Sequence, residues 1–157
     1  MAKRPAHAMT EAEIDAFLRE EQLVTCATIG PNGRPHLMPL WYVVEGKTLA
    51  TWTFGKSQKA RNLERLPQAT LQVEAGTQYL ELRGVMLECD VELIRDLAAV
   101  TAIGLALGAR YTQAGGPVGP AADREVGVAK QAPKRIGLRF HPTRVVSWDH
   151  RKLAGGA

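Results

Sequence analysis

The sequence predicts a mainly β fold, about six antiparallel strands with a few helices, closed as a small barrel. Three observations predict it. β-Branched and apolar runs recur along the chain. Several of the turns between them are too short to hold a crossover helix, which excludes a doubly wound parallel sheet. The 157 residues, 45% hydrophobic and 23% charged, suit one ordinary globular domain spanning 1–157 and argue against disorder.

The elements follow in order. Thr10-Glu-Ala-Glu13 has the form of a capping box, and Ile14, Phe17 and Leu18 continue at helical spacing, so a short helix is expected over 11–20. Leu23 to Ile29 reads as a strand and Gly30-Pro-Asn-Gly33 as a hairpin turn. Arg34 to Val44 reads as one returning strand, Glu45 to Lys47 as a turn and Thr48 to Phe54 as a third strand, giving a meander. Ser57 can cap a helix that runs to about Leu66, before Pro67. Ala69 to Glu74 is the fourth strand and Gln78 to Ile94 a long fifth. Asp96 caps a helix from Leu97 to Tyr111 that is apolar on nearly all sides, as in helices buried on more than one face. Gln113 to Ala122 is a Gly/Pro-rich loop, a short helix follows over 123–130, Arg135 to Trp148 is the last strand, and 151–157 is a loose tail.

Composition also bounds function. Cys26 and Cys89 are too few for a disulfide scaffold and fit a reducing, cytoplasmic setting. The N-terminus lacks the apolar run of a signal peptide, and the longest apolar stretch, Leu97 to Ala109, is too short to cross a bilayer, so no membrane role is expected. The four histidines and two cysteines lack ligand spacing, so no metal is expected. The net charge of +4 gathers in clusters, among them Lys56, Lys59, Arg61 and Arg65, and a second through Arg124, Lys130, Lys134, Arg135 and Arg139. Clustered positive charge favours an anionic partner. With no nucleic-acid-binding motif in view, nucleic acid is not the expected one.

The informative stretch is Leu49-Ala-Thr-Trp-Thr-Phe-Gly-Lys-Ser-Gln-Lys-Ala-Arg-Asn-Leu63. A strand ends in Thr51 and Thr53, a glycine turn follows, and Ser57, Gln58 and Lys59 open a helix. Unpaired N–H groups and the positive dipole end make a helix N-terminus favourable for anions and unfavourable for cations. Lys56 and Lys59 therefore break a local rule, and a bound phosphate would remove the conflict. Trp41, Tyr42, Trp52 and Phe54 flank the stretch. Alternation puts Trp52 and Phe54 on one sheet face, with Thr51 and Thr53 on the other. A flat ligand carrying a phosphate fits this set, although each aromatic alone is equally at home in a core.

The ordered set Gly33-Arg-Pro-His-Leu-Met-Pro-Leu-Trp41, Thr51-Trp-Thr53, Ser57-Gln-Lys59-Ala-Arg-Asn-Leu63 and Val145-Val-Ser-Trp-Asp149 resembles the split β-barrel flavin and deazaflavin oxidoreductases, which include pyridoxamine 5′-phosphate oxidase. Its closing segment is similar to the actinobacterial branch that uses the deazaflavin coenzyme F420. The resemblance implies a six-stranded split barrel of the FMN-binding type and a homodimer with its cofactor at the subunit interface. Trp52, Thr53, Ser57, Gln58 and Lys59 would surround the cofactor phosphate and polyol chain. His36 to Trp41, Leu40 included, would line the ring through backbone and through Met38 and Pro39. Tyr79 would lie near the ring, and Trp148 would reach it from the other subunit.

Gln58 stands where pyridoxamine phosphate oxidases have Arg, Tyr79 where they have Gln, and their C-terminal substrate pattern is not matched. This points to coenzyme F420 and to a reductase that passes a hydride to a small electron-poor substrate: an enone, quinone, nitroaromatic or tetrapyrrole. FMN-dependent oxidoreduction on the same fold, or non-catalytic binding of a flavin, deazaflavin or haem, is the alternative.

Overall fold

A computed structural model describes residues 5–112 and 123–154. The expected loop over 113–122 and the last residues of the tail lie outside them. Its helices are α1 (Glu11–Glu20), α2 (Gln58–Arg65), α3 (Leu97–Arg110) and α4 (Arg124–Gln131). Its strands are β1 (Val24–Ile29), β2 (Pro35–Leu40), β3 (Val43–Glu45), β4 (Thr48–Phe54), β5 (Gln68–Ala75), β6 (Arg83–Ile94) and β7 (Arg135–Asp149). All pairings are antiparallel, in one sheet ordered β2-β1-β5-β6-β7-β4-β3.

The mainly antiparallel class holds, with four corrections. Among the described residues there are seven strands rather than six, and no ladder joins β2 to β3, so the barrel is open. The expected strand 34–44 breaks at Trp41 and Tyr42, and its halves lie on opposite edges of the sheet, so the meander is not formed. The expected fifth strand starts at Arg83, because a 3₁₀ turn occupies Tyr79–Glu81. The expected loose tail begins with a 3₁₀ turn at His150–Leu153, where Asp149 accepts from the Arg151 guanidinium and Lys152 Nζ donates to Ala8 O.

The break explains the shape. Two residues join the edge strands, and a chain covers at most about 3.6 Å per residue. The two edges must therefore converge at this point, which rolls the sheet while leaving it split. The break is held by distant partners. Thr51 Oγ1 donates to Trp41 O at 2.6 Å, the Tyr42 N–H donates to Tyr111 Oη at 3.1 Å, and Trp41 stacks on Tyr111 with centroids 4.5 Å apart.

The inner face of the roll carries Val24, Cys26, Leu49, Leu71, Val73, Val85, Leu87, Leu138 and Phe140, closed by Phe17 of α1 and by Ala60 and Leu63 of α2. A second core forms on the outer face, where Val100, Ile103 and Leu107 of α3 cover Ala50 and Ile94. α3 buries Val100, Ile103, Gly104, Leu107 and Gly108 but leaves Leu97, Ala98, Ala102 and Ala109 exposed, so its apolar circumference is covered only in part among the described residues.

Candidate functional site

β4 and α2 form a strand–turn–helix unit. Thr51 and Thr53 are buried on the inner face, and Trp52 and Phe54 lie on the outer one. The Gly55 N–H donates to Lys134 O at 3.0 Å, tying the turn to the start of β7. Ser57 then caps α2, its Oγ accepting from the Ala60 N–H at 3.1 Å and lying 3.3 Å from Thr53 Oγ1. The first turn of α2 contains no acidic residue, so nothing there offsets the positive end of the helix.

Lys59 is the unusual member. It is only 5% exposed, turned inward from α2 toward β4 and β1. Its hydrogen bond is a long one, Nζ to Thr53 Oγ1 at 3.4 Å, for a group with three protons to donate. Burial holds its ammonium below the ordinary lysine value, with the Cys26 thiol opposing the shift slightly. Burial also pushes the Cys26 thiol up to about 11, so it stays neutral and is no counter-ion at pH 7. A buried cation without a carboxylate is costly unless a ligand supplies the anion.

A polar chain continues from the same helix. Gln58 Nε2 donates to Asn62 Oδ1 at 2.8 Å, and Asn62 Nδ2 donates to Thr28 Oγ1 at 3.0 Å. Thr28 faces His36 across the β1–β2 ladder, and His36 Nδ1 is buried without a partner. The donors around Lys59 and Ser57, the helix end and this orphaned nitrogen fit a phosphate with a hydroxylated chain attached.

The expected site residues fall into four places. Thr53, Ser57, Gln58 and Lys59 come together, and His36, Met38 and Leu40 share the inward side of β2, with Met38 opposite Cys26. Pro39 and Met38 are exposed on that edge strand. Trp52 and Trp41 belong to the outer layer: Trp52 lies under α3 against Gly104, and Trp41 stacks on Tyr111. Tyr79 and Trp148 stand at the far end of the sheet. Trp148 packs over Gly84, and Tyr79, 68% exposed, lies against the His150 ring at 4.8 Å. Ten positions of β6 separate Gly84, opposite Trp148, from Ile94, which pairs with Gly137, itself opposite Trp52. At about 3.3 Å per residue that is about 30 Å.

Sequence reasoning missed Asn62 and Thr28 as site residues. Asn62 in an amphipathic helix has one signal, a polar residue on the side of Lys59 and Leu63. Thr28 has none within its strand.

A family model described as pyridoxamine 5′-phosphate oxidase matches residues 10–149. The chain belongs to that family. Its antiparallel split-barrel fold agrees with that membership. An F420H2-dependent biliverdin reductase of Mycobacterium tuberculosis is 32% identical over 84 residues, which cover 52% of this chain and 61% of the relative. The match thus spans about three-fifths of that relative's length. The crystal structure of a conserved hypothetical protein of the same organism is 38% identical and superimposes with a TM-score of 0.87, covering 98% of this chain and 93% of the other. A solved F420 reductase, 24% identical with a TM-score of 0.65, covers 83% of this chain and 94% of its own and shares the fold. Among the described residues no helix is long and apolar enough to cross a membrane.

Proposed function

We propose that the chain is a reductase dependent on coenzyme F420, acting on a small electron-poor organic substrate as a homodimer. One observation carries the reading: among the described residues Lys59 is a buried cation lacking a carboxylate partner, beside the acid-free N-terminus of α2 and the Ser57 hydroxyl. A phosphate seated there would accept from Lys59 Nζ, Ser57 Oγ and the first N–H groups of α2, and would restore the missing charge. Asn62, Thr28 and His36 would carry the hydroxylated chain from the phosphate toward β2. Met38 and Pro39 would then lie along a flat ring, keeping water from one side of it. Coenzyme F420, when bound, supplies the hydride from its reduced ring.

The biliverdin reductase among the relatives supports F420 over FMN and puts tetrapyrroles first among enones, quinones and nitroaromatics. Tyr79 and Trp148 would serve the ring from a second copy; within one chain about 30 Å of β6 separates Trp148 from the Trp52 end of the sheet, where the cradle lies.

The test is parallel fluorescence titration of the protein with F420 and FMN, repeated with Ser57→Ala/Lys59→Ala. Loss of two charge-assisted hydrogen bonds is expected to weaken binding of the preferred cofactor about 100-fold or more. Unchanged uptake of both compounds by the double variant overturns the cradle. Tight FMN and weak F420 binding reassigns the cofactor. Oxidation of reduced F420 by a substrate panel separates a reductase from a carrier.

A further inference from the structure

The chain ahead of α1 is strapped to the end of β7. The Asp149 N–H donates to His7 O at 2.7 Å, the Met9 N–H donates to Ser147 Oγ at 3.0 Å, and the Met9 side chain is buried. These bonds flank Trp148. Pro5 and Ala8 of the same strap form one wall of a groove that α1, the β3–β4 turn and Val145 to Ser147 of β7 complete. Two further contacts hold the strap. One is ionic: Lys152 Nζ donates to Ala8 O at 3.0 Å and to Glu13 Oε2 at 2.7 Å. Lys152 and the Thr10 N–H hold the Glu13 carboxyl below its ordinary value, so this latch stays charged throughout the range in which histidine titrates. The other is a histidine pair. The His7 and His150 rings lie perpendicular with centroids 6.1 Å apart. His150 is pinned: its Nδ1 donates to Tyr79 O at 2.8 Å, its backbone N–H to Leu82 O at 2.9 Å, and the Tyr79 ring centroid lies 4.8 Å away. A carbonyl only accepts, so Nε2 is the atom that takes the second proton. Among the described residues neither histidine joins an ion pair. Of the charges on the elements packed here, Asp149 is held by Arg151, Glu13 by Lys152, and Arg83 faces Glu20 and Glu21. Glu81, in the turn before β6, joins no ion pair among the described residues.

We propose that residues 5–9 are a pH-operated strap, closed while at least one ring of the His7–His150 pair is neutral and released from the end of β7 when both carry a proton. Two neutral rings, or one neutral and one charged, attract edge to face. Histidine is the side chain whose charge changes between pH 5 and 8, so acidification turns this contact from attraction to repulsion. Two unit charges at this separation near a protein surface shift a local equilibrium roughly tenfold. Because His150 is pinned from three sides, the repulsion acts on the strap. The strap is then left with the Lys152 latch and the Met9–Ser147 bond. Its release removes one wall of the groove and frees the strand on either side of Trp148. The device is independent of the phosphate cradle. Only its consequence for assembly rests on the proposed homodimer: a second copy seated in the groove would lose part of its seat in acid.

The test is amide hydrogen exchange of the ¹⁵N-labelled full chain by NMR at pH 7.5 and pH 5.0, with rates corrected for the pH dependence of free-chain exchange. Protection of the Asp149 and Met9 amides is expected to fall about tenfold from the higher pH to the lower, while the amides of β5 and β6 keep theirs. His7→Phe keeps a flat ring against His150 and cannot charge. His150→Gln keeps a donor for Tyr79 O and cannot charge either. In each variant the Asp149 amide is expected to stay protected at pH 5.0. Lys152→Met is expected to lower its protection at both pH values. Protection of Asp149 that is the same at both pH values, that falls as far in both uncharged variants as in the wild type, or that falls together with β5 and β6 overturns the proposal. Sedimentation at the same two pH values separates the strap from the homodimer: release without dissociation takes the second copy out of the groove and leaves the strap standing.

Discussion

Lys59 concentrates the conflict between stability and binding in one side chain. Burial disfavours its ammonium, so the folded, ligand-free chain holds that proton less tightly than the unfolded chain, where the ordinary value of 10.5 applies. Between the lowered folded value and 10.5 the unfolded state binds more protons, so ligand-free stability rises with pH across that window; below it the full penalty remains. Lys59→Met, of similar length and uncharged, is therefore expected to raise the melting temperature of the ligand-free protein at neutral pH, with the gap to wild type closing as the pH rises toward about 10. The same variant should lose cofactor affinity at neutral pH. Anion affinity of the wild type should fall as the pH rises through the folded value of Lys59, earlier than for an exposed lysine. A Lys59→Met protein less stable than wild type at pH 7 would mean that the ammonium already has a partner within the fold. The residue types of this site were legible in the sequence, because Ser57 and Lys59 break a local helix rule. The depth of Lys59 was not, since eight residues of helix do not say which side faces a barrel interior.

Among the elements, α3 and the split strand show where legibility ends. An all-round apolar helix announces burial but not which of its sides is covered, and its glycines suggest close approach. The structure names the neighbour: a Cβ on Gly104 would lie 2.3 Å from Trp52 Cζ3. Gly104→Ala must push Trp52 off its place beneath α3, at a cost of about 1–3 kcal/mol, read as a lower urea midpoint together with altered tryptophan fluorescence. Unaltered fluorescence would mean the helix moves instead of the ring. The break at Trp41 and Tyr42 was illegible for a different reason. The residues on both sides read as strand, and the groups that hold the break, Thr51, Arg110 and Tyr111, lie 10 to about 70 positions away. Pro35 and Pro39 did carry a hint, because proline lacks a ladder donor and is confined to edges.

Arg110 also ties α3 to α1, donating to the end carbonyls of α1 and to Tyr42 O while lying 4.3 Å from the Tyr42 ring centroid. Arg110→Met removes these bonds, leaving the Leu18 and Glu21 carbonyls to Tyr42 Oη and the Tyr42 carbonyl to Tyr111 Oη. It is expected to cost about 2–3 kcal/mol in urea unfolding with little change in slope. A smaller loss would show that water reaches the end of α1.

On the scale of the whole molecule, the sheet leaves one region unfinished. β4 pairs with β7 only over Arg135–Phe140, so the second half of β7 extends past its neighbour. There Val145 and Val146 are exposed on successive positions, one to each face. Between this half-strand, α1 and the β3–β4 turn runs a groove of about 1090 Å³ lined by Ala12, Ile14, Leu18, Val44, Leu49 and Val145 among others. Contiguous apolar surface of this kind marks an association site. The proposed second copy would fill it and would also bring Tyr79 and Trp148 toward Ser57 and Lys59, which lie at the other end of β6 within one chain. Sedimentation equilibrium at micromolar concentration should return twice the 17.1 kDa chain mass. Val145→Asp, which places a carboxylate in the groove and leaves every cradle residue untouched, should return a folded monomer whose cofactor affinity has dropped about tenfold or more. A wild-type monomer that binds cofactor in full, or a Val145→Asp monomer that binds as tightly as the wild type, would place the whole site within one chain and leave Trp148 without a role in it.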